Sequence, residues 1–107
     1  MYKITDIPIG AKNAISRRDL ALLWNVNDRM VRRIIADMRT VDDGRGYVIV
    51  SVSRGRGYYR SNDPAEIDRF ISEMQSRIRG TYKAIKAAKK IADRHKALAQ
   101  HGGRLAG

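Results

Sequence analysis

The sequence predicts a mainly α-helical fold with one small β-hairpin, followed by a long C-terminal helix. Three observations carry this: two short apolar-periodic segments meet at Asn25, the alternating run YVIVSVS precedes RGRG and a tyrosine pair, and the Asx-proline start Asn62–Pro64 opens a third periodic segment.

Residues 1–14 are mixed, with Pro8 and Gly10 interrupting any long element, and read as a short helical turn or an extended lead into a loop. Ser16 with Asp19 three residues later has capping-box spacing, so a helix starts there, carrying Leu20, Leu23 and Trp24 on one face. Asn25 then tolerates the left-handed backbone that a sharp turn needs, and Asn27 or Asp28 caps a second helix over about Asp28–Thr40. Val31, Ile34, Ile35 and Met38 give that helix an apolar stripe; at about 100° per residue the opposite face collects Arg29, Arg33 and Ala36, with Arg32 on its flank.

VDDGRG reads as a turn, and Tyr47–Arg60 as a hairpin whose alternation sends one of Tyr58 and Tyr59 inward. Asn62 and Asp63 before Pro64, with Glu66 in the first turn, start a third helix that has Ile67, Phe70, Ile71, Met74 and Ile78 as its buried stripe. Beyond Gly80 the chain turns to Ala, Lys and Arg with Asp93 as the sole acid. A helix continuing to about Gln100 measures roughly 55 Å, more than such a domain needs to cover its core, and HGGRLAG is expected to fray. The expected division is a domain at 1–79 and a basic helical arm and tail at 80–107.

Of 107 residues, 22 are basic and 11 acidic, a net charge of +11 that points to nucleic acid or an anionic surface. The chain has no cysteine, which closes off disulfides and thiolate chemistry, and no apolar run of signal-peptide or membrane-spanning length, so a cytoplasmic location is expected. The basic run Lys83–Lys96 has a weak apolar face and no aromatic anchor after Tyr82, which disfavours a membrane-surface helix. Asp42 and Asp43 sit in a turn and His95 and His101 in the arm or tail; no spacing among them suggests a metal site or general base, so neither an enzyme nor a cofactor is expected.

Across Arg17–Ala36 the helix-turn-helix pattern asks for apolar residues at its fourth, eighth, tenth, fifteenth and eighteenth positions and a small one at its fifth. Leu20, Trp24, Val26, Val31 and Ile34 meet the first requirement and Ala21 the second, letting two helices cross closely. Asn25 departs from the glycine the pattern prefers. With an arginine-rich hairpin next, the chain resembles the winged helix-turn-helix family over roughly Ala14–Ile78, and within it small DNA-binding proteins of bacterial prophages and phages.

The resemblance implies a recognition helix in the major groove with Asn27, Asp28, Arg29, Arg32 and Arg33 reaching DNA, and a wing whose Arg54 and Arg56 meet phosphates or a minor groove, Gly55 and Gly57 permitting its turn. Double-stranded DNA is the expected partner and transcription regulation the expected role, with replication or recombination accessory work as the alternative. A different class stays open: a winged protein that holds or inhibits a host nucleic-acid enzyme. Ala84, Ala87, Ala88, Ala92 and Ala97, with Ile85, Ile91 and Leu98, are expected to pair two copies through the C-terminal helix.

Overall fold

The computed structural model describes residues 2–52 and 57–106, with side-chain surroundings to residue 100. Its elements are single 3₁₀ turns at Ile4–Asp6 and Ala11–Asn13, strand β1 (Ile15–Ser16), helices α1 (Arg17–Trp24) and α2 (Asp28–Met38), strands β2 (Val48–Ser51) and β3 (Gly57–Ser61), and helix α3 (Pro64–Ala106). The protein is mainly helical, with a three-stranded antiparallel sheet of order β1-β3-β2 and a long C-terminal helix. It divides into two compact units, Met1–Phe70 and Ile71–Gly107.

Local chemistry sets the helix boundaries. Ser16 Oγ accepts the Asp19 amide at 3.0 Å, and Asn27 Oδ1 accepts the Met30 amide at 2.8 Å, so each helix starts on a side-chain cap. Between them Asn25 takes φ 54°, and the Val26 amide reaches back to the Ala21 carbonyl at 3.0 Å to close the turn. Asp63 Oδ1 accepts the Ala65 amide at 3.3 Å, which leaves Pro64 as the first helical residue of α3, where no amide is needed.

The core of the first unit gathers Ile7, Leu20, Trp24, Val31, Ile34, Ile35, Ile49 and Tyr58, with Ala21, Val26 and Met38 packed against it. All six positions of the helix-turn-helix spacing therefore lie in or against the core.

Several expectations need correction. Leu23 is exposed: the buried face of α1 is centred between Leu20, Ala21 and Trp24, and at about 100° per residue Leu23 falls roughly a quarter-turn away. The lead segment contributes the fully buried Ile7 and runs into β1 at Ile15–Ser16, so the hairpin is widened into a three-stranded sheet. That addition puts β3 in the centre and buries both tyrosines. Tyr58 faces the core, while Tyr59, on the other face, donates its hydroxyl to Glu66 at the start of α3. Ile71 and Ile78 are exposed instead of forming a buried stripe: the first unit ends at Phe70, and both belong to the second. Finally, α3 runs on to Ala106 through Gly102 and Gly103, which cost about 1 kcal/mol each but do not by themselves end a helix.

Candidate nucleic-acid interface

The strict apolar stripe of α2 fixes what its other face presents. Val31, Ile34 and Ile35 are buried, so Arg29, Arg32, Arg33 and Ala36 are exposed. Arg29 and Arg33 stand one turn apart, a rise of about 6 Å. Among the described residues neither makes an ion pair or hydrogen bond, so both guanidinium forks keep all their donors for a ligand.

The remaining α2 candidates are committed. Asn27 spends its side-chain oxygen on the Met30 cap. Asp28 accepts Arg17 Nε at 3.0 Å and Arg32 Nε at 3.2 Å, linking the first residue of α1 to α2 through one carboxylate. Arg32 thus belongs half to a solvent-exposed pair and half to the open face. The structure brings Asn27, Asp28, Arg29, Arg32 and Arg33 together on one short helix; Arg54 and Arg56 lie outside the described residues.

Not every basic residue belongs to a surface. Arg39, just past α2, donates from Nε to the Ile49 carbonyl at 3.0 Å and from Nη2 to Ser51 Oγ at 3.2 Å, with its guanidinium over the Tyr58 and Phe70 rings. Arg60 is buried, donates from Nε to the Ile7 carbonyl at 2.6 Å and sits over Tyr47. Both arginines hold the sheet in place, and a count of charge alone misassigns them. Residue type gave no sign of this; the signal for Arg60 was its place inside an aromatic strand.

Sequence reasoning also passed over Arg17 and Arg18, which border a shallow depression with Ser16, Ala21 and Asp28. Two arginines directly after a helix cap were the available signal. Behind the interface, Trp24 Nε1 donates to Asp6 Oδ2 at 2.8 Å, and that bond holds the Asp6 carboxyl below its usual range. Tyr59 is shifted the other way, its hydroxyl raised by the bond to Glu66 and by burial.

Asp42 and Asp43 serve the turn: their side chains accept the Gly44 amide at 2.8 Å and the Arg45 amide at 3.0 Å. Among the described residues no three His, Cys, Asp or Glu side chains gather closely enough to hold a metal ion, and no helix is long and apolar enough to cross a membrane. No protein-family model, curated protein or solved structure matches the chain.

Proposed function

We propose that this protein is a sequence-specific double-stranded DNA-binding protein of the winged helix-turn-helix type, with α2 as its reading helix and the β2–β3 hairpin as its wing. The observation that carries the reading is the uncommitted pair Arg29 and Arg33 on the exposed face of a helix whose opposite face is locked in the core. A planar guanidinium suits the O6 and N7 acceptors of guanine in the major groove, and Ala36 on the same face leaves room for the groove wall. The net charge of +11 supplies the attraction to phosphate that precedes any base reading. By its resemblance to phage-encoded regulators, the role is transcription regulation.

Selection of duplexes from a random DNA pool, with a salt titration of the bound fraction, tests this. A recovered consensus supports the reading. Salt-sensitive binding with no consensus reduces it to nonspecific packaging, and absence of duplex binding at low salt overturns it. Substituting Arg54 and Arg56 together with alanine is expected to weaken consensus and scrambled duplexes alike, since phosphate contacts position without reading sequence.

A further inference from the structure

One face of α3 carries large apolar side chains that the described residues leave exposed. Ile71, Ile78, Tyr82 and Ile85 are 44%, 66%, 65% and 49% exposed, and Met74 is half-buried among them. Met74, Arg77, Ile78, Thr81, Tyr82 and Ile85 line a shallow apolar groove along the helix. The spacing alternates between three and four: Ile71, Ile78 and Ile85 take the a positions of a heptad and Met74 and Thr81 the d positions, with Tyr82 at e and Arg77 at g.

We propose that this face pairs with the same face of a second copy of the chain, as a short parallel two-stranded coiled coil along Ile71–Ile85. Area supports an occupant of this kind. The four most exposed side chains present on the order of 500 Å² per copy, so their full burial in a pair removes up to about 1,000 Å² in total, which reaches the lower limit for a specific interface.

Charge placement selects a second copy in parallel register. In a parallel pair each g residue meets the e residue five positions on in the other copy. Arg77 then meets Tyr82 of the other copy, a cation against an aromatic face, while Lys89 and Lys96 meet Ala84 and Ile91. Arg79, Lys83, Lys86, Lys90 and Arg94 all fall at the outer b, c and f positions, so the seam opposes no two like charges. Antiparallel pairing sets g against g and e against e, and separates Arg77 from Tyr82. The seam therefore lies N-terminal to the alanine-rich stretch, and Ile91 and Leu98, at g positions, flank it instead of forming it.

The test uses free protein without DNA, so its failure leaves the DNA reading untouched. Sedimentation of the full chain at rising concentration is expected to show monomer passing to dimer, with Ile78→Glu weakening association by about tenfold or more. Ile78 is exposed in the single chain, so that variant keeps its fold, which far-UV circular dichroism verifies. Thr81→Cys, in a chain that has no other cysteine, is expected to form a covalent dimer on mild oxidation, and Lys83→Cys at an outer position is not. A chain that stays monomeric at its highest soluble concentration, an Ile78→Glu variant that dimerises as well as the parent, or equal cross-linking by the two cysteine variants overturns the proposal. Capture of the monomeric chain by vesicles of anionic lipid also overturns it, and assigns the face to a membrane surface.

Discussion

Trp24 and Asp6 are bonded indole to carboxylate, Nε1 to Oδ2 at 2.8 Å, across eighteen residues of sequence. The bond joins the C-terminal end of α1 to the first 3₁₀ turn, and Tyr2 meets the Trp24 ring edge-on at 5.5 Å from the other side. Asp6→Ala is expected to lower unfolding stability by about 1 kcal/mol, measured by urea titration. Because the native carboxyl is held below its usual range, its stabilisation is complete above the ordinary Asp value of 3.8 and fades as pH falls through the lowered native value. The parent should therefore lose stability in that acid window more steeply than the variant.

Substitution of two glycines should give opposite signs. A Cβ on Gly57 meets the Ile15 carbonyl oxygen at 2.5 Å, backbone against backbone, where β1 joins the sheet. Gly57→Ala is expected to cost about 1 to 3 kcal/mol. Gly80, within α3, has nothing within 4 Å of the same position, so Gly80→Ala should raise helix stability by about 1 kcal/mol, visible in the far-UV melting curve.

Arg29→Ala or Arg33→Ala is expected to relax preference at one base pair by about 1 to 3 kcal/mol while leaving the melting curve unchanged. Competition between the consensus and single-base variants of it measures this. Unchanged base preference in both proteins removes α2 from the role of reading helix.

Asp28→Asn should act in reverse. It releases Arg17 and Arg32 from their shared carboxylate and removes a negative charge from the face proposed to read DNA. Affinity for any duplex is expected to rise, and the slope of log affinity against log salt to steepen by about one to two units. Stability should change little, because the Asp28 carboxylate shared by both ion pairs is itself about half exposed to solvent.

Some elements are legible in the sequence because one requirement fixes them. The stripe of α2 needs only 3.6-residue periodicity and a cap, and both are written in NDRMVRRIIADM. Asn25 is legible because few residues accept φ 54°. The misreadings of the lead segment and the sheet have a different cause: they depend on tertiary contacts that no local period encodes. Ile7 sits between breakers and has no period, yet it is fully buried, while Ile71 and Ile78 have the period of a buried stripe and are exposed. Two-residue β1 carries too little pattern to detect, so the two-sided burial of Tyr58 and Tyr59 could not follow. At the candidate interface the exposed arginines were readable from the helix face. The pairing of Arg32 through Asp28 with Arg17 was not, because it depends on how closely α1 and α2 cross.

Arg60 clasps the lead segment at three points: its Nε reaches the Ile7 carbonyl at 2.6 Å, its amide the Pro8 carbonyl at 2.7 Å, and its own carbonyl takes the Gly10 amide at 3.0 Å. On the ribosome, residues 7–10 emerge about fifty residues before the side chain that fixes them. The contacts between α1 and α2 are local, whereas closure of the sheet must wait for β3 and carries the entropy of closing a loop of about fifty residues. The lead segment, made earliest, therefore docks on Arg60 only after β3 has been made.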